Sequence, residues 1–229
     1  MPILDEKTKK IVLDEFQKLK EQVRLIFFTQ EIECNFCAEA KSVISQVAEL
    51  SDKIKLEIYN YQLDKPEVEK YKIEQIPALV ILAGDHDFGF RFYGTPMGYE
   101  FTVLIQMIII ASQRDSGLQP KTRELLKKID NDLELKIFVT PTCPYCPRAG
   151  VSAGRFAYEN NLIKVSIIET AEFPHLVQKY NVMGVPKILV NEKIEFTGSL
   201  PEPAFAQHLI HSLEHLKGNV SAGAQTEHT

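Results

Sequence analysis

Tryptophan is absent from this chain, cysteine occurs only four times in 229 residues, and long hydrophobic runs are missing. The longest apolar segments, residues 76–83 and 107–111, are far shorter than the roughly 20 residues that a membrane-spanning helix needs. The first ten residues include five charged side chains and contain no apolar signal core. The sequence therefore predicts a cytoplasmic protein without a transmembrane segment.

An excess of basic residues is also lacking. The chain has 31 Asp and Glu against 26 Lys and Arg, which gives a formal net charge of −5. Nucleic acids and anionic lipids recruit basic surfaces, so this charge balance argues against both as partners. The 45% hydrophobic content is that of an ordinary globular protein with well-filled cores.

All four cysteines fall in Cys-x-x-Cys pairs, Cys34/Cys37 and Cys143/Cys146. A secreted disulfide scaffold would be smaller and richer in cysteine. In a cytosolic chain of this size, such pairs are redox dithiols or zinc ligands.

The chain repeats itself. The two cysteine pairs lie 109 residues apart, and each first cysteine is followed 43 residues later by a proline after a bulky apolar residue. These dipeptides are Ile76-Pro77 and Val185-Pro186. Further along, the offset between matching residues falls to 104. Agreement over this many positions indicates an internal duplication.

Apolar periodicity predicts the same element order, β-α-β-α-β-β-α, in both halves, each preceded by an extra helix. We therefore expect an α/β fold of two tandem units, each a mixed central sheet with helices on both faces. The polar segment 113–120 reads as a linker, which sets the predicted units at 1–116 and 117–229 with a flexible tail over 218–229. Predicted helices are 5–20, 34–50, 65–72, 99–112, 122–129, 143–160, 174–180 and 203–216, and predicted strands are 23–29, 54–61, 77–82, 88–93, 135–140, 164–170, 186–190 and 193–196.

Each cysteine pair follows a predicted strand and opens a predicted helix. Unpaired amides and the helix dipole at that position stabilise a thiolate, which can lower a cysteine pKa from about 8.5 to roughly 3.5–7.5. Cys34 and Cys143 are therefore the predicted nucleophiles. Cys37 and Cys146 lie one helical turn further on and can resolve a mixed disulfide.

Cys143-Pro144-Tyr145-Cys146 resembles the active-site motif of glutaredoxins, and Val185-Pro186 resembles the cis-proline loop of the thioredoxin superfamily. Two such units in tandem are similar to the glutaredoxin-like protein disulfide oxidoreductases of thermophilic bacteria and archaea. The resemblance covers residues 5–216 and implies that the α/β fold consists of two tandem thioredoxin-like units. It also implies thiol–disulfide exchange on protein disulfides: reduction, oxidation and isomerisation.

The resemblance also implies a polypeptide groove shaped by Pro77 and Pro186 with the backbone of Ile76 and Val185. It implies no cofactor beyond the redox-active disulfides, no metal, and protein disulfides or dithiols as partners. A thioredoxin-reductase-like flavoenzyme would recharge the dithiols.

The sequence departs from thioredoxins at three points. Cys34-Asn35-Phe36-Cys37 is not a standard motif, which leaves the potential of the first site open. No tryptophan precedes either motif, and the strand before each motif carries a cation, Arg24 or Lys136, and no carboxylate matching the buried acid of thioredoxins. The proton acceptor for the resolving cysteine is then water or another residue.

Two alternatives remain at this point. The four thiolates could bind one zinc ion if both pairs converged on it, or the chain could be a holdase-type interaction protein that binds unfolded chains without consuming thiols. The charges around the pairs also predict a ranking. Glu31 and Glu33 precede Cys34, whereas Arg148 follows Cys143, so Cys143 should be the more reactive nucleophile.

Overall fold

The computed structural model describes residues 4–223, and the side chains of residues 4–216. Two successive halves adopt the predicted order, an extra helix followed by β-α-β-α-β-β-α. The first half contains α1 (Glu6–Phe16), β1 (Val23–Thr29), α2 (Cys37–Ala48), β2 (Ile54–Asn60), α3 (Lys65–Lys70), β3 (Ala78–Ala83), β4 (His86–Tyr93), a 3₁₀ turn (Gly98–Glu100) and α4 (Phe101–Gln113). The second contains α5 (Pro120–Leu126), β5 (Leu133–Val139), α6 (Cys146–Glu159), β6 (Ile163–Glu169), α7 (Pro174–Lys179), β7 (Lys187–Val190), β8 (Ile194–Thr197) and α8 (Glu202–Gly223).

The helix that follows each cysteine motif begins later than predicted. Both α2 and α6 start at the second cysteine, Cys37 and Cys146, and not at the first. Phe36 and Tyr145 occupy the N-cap positions with helical backbone angles. Each first cysteine thus lies just ahead of the helix, where its sulfur can face the unpaired amides of the first turn.

The first helix is shorter than predicted and buries fewer residues. It begins after Asp5, whose carboxylate accepts a hydrogen bond from the Thr8 amide at 2.7 Å. The apolar pattern of residues 5–20 predicts that Ile11, Val12, Phe16 and Leu19 are buried. The last three are buried, but Ile11 is 55% exposed, so the prediction for Ile11 is wrong. The core-facing stripe of this helix is therefore narrower than its apolar residues indicate.

One continuous sheet of eight strands runs through both halves, in the order β2-β1-β3-β4-β6-β5-β7-β8. The junction is the parallel pairing of β4 with β6, in which residues 90–93 are in register with residues 165–168. Each half contributes four strands. The sheet is mixed, because β3 is antiparallel to β1 and β7 is antiparallel to β5.

The two halves also share a core. Helices α4 and α6 pack side by side on one face of the sheet, and the glycines of α6 allow the close approach. A Cβ atom on Gly150 would lie 3.2 Å from Val103, and one on Gly154 would meet the sulfur of Met107. The single large cluster on this face contains residues of both halves. On the opposite face, α3 and α7 cover a smaller cluster.

The segment predicted to be a linker is partly buried. Ser116 and Leu118 are 1% and 5% exposed, and the Ser116 hydroxyl donates to Glu159 at 2.5 Å. The chain therefore crosses between the halves in a fixed path.

The last helix is longer than predicted and extends through residue 223. It covers the first residues of the tail predicted to be flexible, 218–229, and the remainder of that tail lies outside the described residues. Within the described part of the chain, no helix combines the length and hydropathy needed to cross a bilayer.

Candidate active sites

Both cysteine pairs lie at the same edge of the sheet. Strands β1 and β5 point in the same direction, and each leads into one of the pairs at its carboxyl end. Four strand spacings separate β1 from β5, which at about 4.8 Å each amounts to roughly 19 Å. This separation is too large for one tetrahedral zinc ion to bind both pairs, or for direct exchange between them.

Each pair forms a disulfide within its own unit. The Cα atoms of Cys34 and Cys37 are 5.5 Å apart, as are those of Cys143 and Cys146. This distance is within the usual range for disulfides. Cys37 and Cys146 are 1% and 0% exposed, and Cys143 is 8% exposed, whereas Cys34 is only half-buried.

The predicted proline loops contain cis peptide bonds, Ile76-Pro77 and Val185-Pro186. Their carbonyl groups enter the sheet, because Pro77 and Pro186 accept hydrogen bonds of 2.9 Å from the amides of Gly94 and Gly198.

The structure brings the second proline loop next to its disulfide. The carbonyl oxygen of Val185 lies 3.8 Å from Sγ of Cys143. The backbone that precedes the proline therefore lines the surface beside the sulfur.

The C-terminal site has a hydrogen bond that favours a thiolate. The amide of Cys146 donates to Sγ of Cys143 at 3.2 Å. This amide is the first of α6 and has no carbonyl partner within the helix. On reduction, it would stabilise negative charge on the sulfur of Cys143.

The sequence did not single out three neighbouring carboxyl groups between the two halves: Glu100, Glu169 and Glu172. Glu100 and Glu169 are 0% and 1% exposed. Both carboxylate oxygens of Glu100 have no hydrogen-bond partner among the described residues. Burial, together with the charge of Glu169, raises the pKa of Glu100 to about 8, and burial also raises the pKa of Glu169 and Glu172.

The packing register places the 3₁₀ turn that contains Glu100 beside the start of α6. Along α4 and α6, Val103 packs on Gly150 and Met107 on Gly154, so both helices advance by four residues together. One turn earlier, this register brings the 3₁₀ turn opposite Cys146. The amide of Tyr99 confirms the placement, because it donates to the carbonyl of Pro141 at 2.8 Å.

Glu100 therefore belongs to the first half, in a turn that packs against the motif loop of the second half. The only signal in the sequence is an acidic residue directly before the strongly apolar segment 101–111. Nothing in that pattern connects it with a motif more than 40 residues away.

The cations in the strands before the motifs have structural partners. Arg24 binds Glu57 at 2.7 Å and holds the pKa of that carboxyl at about 2. Lys136 pairs with Glu134 at 3.3 Å and with Glu192. These residues hold neighbouring strands and loops together.

The residues that lead to the N-terminal disulfide are more exposed than those that lead to the C-terminal one. Glu31, Ile32 and Glu33 are exposed, and Glu33 has a positive φ of 59°. Glu74, also exposed, stands two residues before the Ile76-Pro77 bond. The loop that leads to the half-buried Cys34 therefore carries two exposed acidic side chains, Glu31 and Glu33.

Comparison with known proteins gives the fold a family context. Residues 133–211 match the family model for the thioredoxin domain. A protein disulfide oxidoreductase from Aeropyrum pernix superposes with a TM-score of 0.83 at 29% identity, over 90% of this chain and 93% of that one. The NTD_N/C domain of the alkylhydroperoxide reductase AhpF from Enterococcus faecalis gives a TM-score of 0.84 at 24% identity, over 90% and 99% of the two chains, and shows the shared tandem fold.

The sequence is also similar to a component of the alkyl hydroperoxide reductase of Escherichia coli. The identity is 29% over 191 residues, which is 83% of this chain but 34% of that protein. An NADH dehydrogenase of Bacillus subtilis is 25% identical over 66% of this chain and 27% of its own length. The chain thus spans about a third or less of these curated relatives. The glutaredoxin-like resemblance is confirmed, and the relationship to the longer proteins is additional.

Proposed function

We propose that this chain, a member of the thioredoxin superfamily with two thioredoxin-like units in tandem, exchanges thiols and disulfides with protein substrates at both cysteine pairs. The observation that carries the proposal is the C-terminal site. There, a disulfide stands at the start of a helix, with an amide directed at one sulfur and the backbone of a proline loop 3.8 Å away. This arrangement stabilises a thiolate and leaves a peptide surface beside it.

Reduction of a substrate would begin with the thiolate of Cys143, or of Cys34. It attacks one sulfur of the substrate disulfide, forms a mixed disulfide and releases the other substrate sulfur as a thiolate that takes up a proton. Cys146, or Cys37, then loses its proton and attacks the first cysteine. The internal disulfide forms and the second substrate thiol leaves. Two electrons pass from the enzyme dithiol to the substrate, and the reverse sequence oxidises a substrate dithiol.

Glu100 is the proposed proton acceptor for Cys146. It is buried beside the start of α6, and its pKa of about 8 lies close to that of a thiol, so a proton can move either way near neutral pH. The strand before this motif offers no carboxylate for the role of proton acceptor. The N-terminal site would use water, because its border is open to solvent.

The polypeptide substrate would bind as an extended segment against the proline loops. Ile76 and Val185 would offer backbone groups, while Pro77 and Pro186 keep the loops facing the disulfides. The chemistry needs no cofactor beyond the redox-active disulfides. A cytoplasmic location and a thermophilic source stay predictions.

A reductase must recharge the two pairs, and each independently, because roughly 19 Å of sheet separates the strands that carry them. We propose a thioredoxin-reductase-like flavoenzyme for this role. The similarity of this chain to part of longer redox proteins, an alkyl hydroperoxide reductase subunit and an NADH dehydrogenase, supports a redox partner for the two pairs.

Reduction of insulin by dithiothreitol tests the proposal against the holdase and zinc alternatives. The intact chain should accelerate insulin reduction, and a chain with all four cysteines replaced by serine should not. Equal binding of unfolded insulin by both chains without turnover would favour a holdase. One tightly bound zinc ion per chain, in protein purified without chelator, would favour a metal role.

A further inference from the structure

Large exposed apolar side chains border the C-terminal disulfide. Tyr99, Tyr145 and Met183 are 51%, 68% and 88% exposed, although side chains of this type are usually buried. Tyr145 lies between the two cysteines, and Met183 stands two residues before Val185, whose carbonyl oxygen is 3.8 Å from Sγ of Cys143. These three residues form what we call the apolar rim.

Tyr99 comes from the other half of the chain and is held in place by backbone contacts. Its amide donates to the carbonyl of Pro141, two residues before Cys143. Gly98 has a φ of 57°, and a Cβ atom there would overlap the same carbonyl oxygen. Only glycine allows this approach. The position of Tyr99 at the rim is thus fixed by the fold.

The apolar rim is almost free of charge. Thr142 and Pro144, the other exposed residues of the motif, are uncharged, and Arg148 is the first charged residue of α6. The duplicated positions at the N-terminal site differ. Glu74 stands where Met183 stands in the second unit, and Glu33 where Thr142 stands.

The duplicated position of Tyr99 also differs. Tyr99 follows the last strand of the first unit and lies against the motif loop of the unit that comes next. At the offset of 104, Pro203 stands in the second unit where Tyr99 stands in the first. Ile32 and Leu63 are exposed near the N-terminal site, but they lie among acidic residues.

We propose that the C-terminal site selects extended polypeptide segments with apolar side chains next to the reacting cysteine, and that Tyr99 is a specificity-determining residue for them. The occupant is a protein disulfide, because Tyr145 lies between the two cysteines and Met183 stands two residues before Val185, whose carbonyl oxygen is 3.8 Å from Sγ of Cys143. Apolar side chains of a bound segment would cover Tyr99, Tyr145 and Met183 and remove apolar surface from water. This inference rests on the proposed function and names the substrate class of one of its two sites.

The test uses the full chain with Cys34 and Cys37 replaced by serine, so that only the C-terminal site reacts. Three disulfides are reduced with dithiothreitol as the electron donor: a disulfide-linked peptide with leucine on both sides of the cysteine, the same peptide with serine, and hydroxyethyl disulfide. We expect a lower KM for the leucine peptide than for the serine peptide. Tyr99→Ala should raise the KM for the leucine peptide about 5- to 10-fold, a typical effect of truncating a contact residue, and should leave its kcat unchanged.

Three controls accompany this test. Tyr99→Phe keeps the ring and should retain the preference for leucine. Ile11→Ala removes an apolar side chain of similar exposure, 55% against 51%, on the remote helix α1, and should change nothing. Hydroxyethyl disulfide should react equally with the parent and with Tyr99→Ala, because it has no side chains to place on the apolar rim.

An equal loss of rate with all three disulfides would show that Tyr99 only supports the fold of the site, and would overturn the inference. An unchanged preference in Tyr99→Ala would overturn it as well. Failure of the parent to reduce any of the three disulfides is a different result, since it would overturn the proposed function itself.

Discussion

The two redox sites come from one duplicated unit, yet they have different surroundings. The C-terminal disulfide is buried, and the turn containing Tyr99 and Glu100 packs against the loop that precedes it from the neighbouring unit. In the N-terminal disulfide, Cys37 is buried, but Cys34 is only half-buried and follows the exposed residues Glu31 and Glu33. The end of the first unit packs against the loop of the second motif through the Tyr99–Pro141 hydrogen bond. The C-terminal site is thus a composite of both units.

Removing the resolving cysteines should have the largest effect. Cys146→Ser should stop turnover at the C-terminal site and leave a mixed disulfide on Cys143, because no thiol remains to release the substrate. Cys37→Ser should do the same on Cys34. Mass spectrometry of the chain mixed with a disulfide substrate would identify each adduct. If neither variant accumulates a dithiothreitol-sensitive adduct, the assigned roles are wrong.

Glu100 should give the C-terminal site a pH-dependent stability. Its pKa is raised from 4.5 to about 8 in the folded chain, so the folded state binds more protons than the unfolded state between these values. Stability should therefore fall as pH rises through this window, by up to about 1.4 kcal/mol per pH unit. Glu169 and Glu172 shift in the same direction and should add to the slope.

The measurement is urea denaturation of the wild type and of Glu100→Gln from pH 4 to pH 9. The free energy of unfolding of Glu100→Gln should depend less on pH, so its advantage over the wild type should grow toward pH 8. Parallel curves for the two chains would contradict the buried, proton-binding state of Glu100.

The shared core should make the two units depend on each other. Gly154→Val places a side chain against Met107 of the first unit and should destabilise the chain by about 1–3 kcal/mol. In a Met107→Ala background, the space is available and most of this cost should disappear. The same cost in both backgrounds would mean that the units do not pack together through this contact.

The predicted units, 1–116 and 117–229, stay a proposal, and expressing them apart tests it. The shared sheet and the shared core predict that each fragment, even if folded, has a lower midpoint of thermal unfolding than the whole chain. Circular dichroism would follow both fragments. Fragments as stable as the whole would show that the β4–β6 junction contributes little.

The sequence was most informative where signals are local. The strand before the first motif, Val23–Thr29, has the predicted bounds, and the paired motifs and prolines indicated the duplication and both disulfides. Contacts between the units have no local signal. Two features depend on how α4 and α6 align. One is the close packing at Gly150 and Gly154, and the other is the burial of Glu100 near the start of α6. The sequence also overestimated the width of the buried apolar stripe of α1, because Ile11 is 55% exposed.

The difference in thiol reactivity should be the smallest effect. Glu31 and Glu33 disfavour a thiolate at Cys34, whereas Cys143 receives a hydrogen bond from the Cys146 amide. Burial of Cys143 acts in the opposite direction, so we expect its pKa to be lower by only a fraction of a unit. Alkylation of the reduced chain across pH 4–9, with mass spectrometry of each cysteine, measures this difference. An equal or lower apparent pKa at Cys34 would remove the electrostatic basis for ranking the two nucleophiles.

The turnover of the two single-site chains tests the central claim most directly. One chain carries Cys34→Ser and Cys37→Ser, the other Cys143→Ser and Cys146→Ser, and each reduces insulin at pH 7 with the same dithiothreitol concentration. We expect activity in both chains, with the larger kcat/KM in the chain that keeps Cys143 and Cys146. An equal or larger kcat/KM in the chain that keeps Cys34 and Cys37 would contradict the dominance of the composite site, and no activity in either chain would contradict the function.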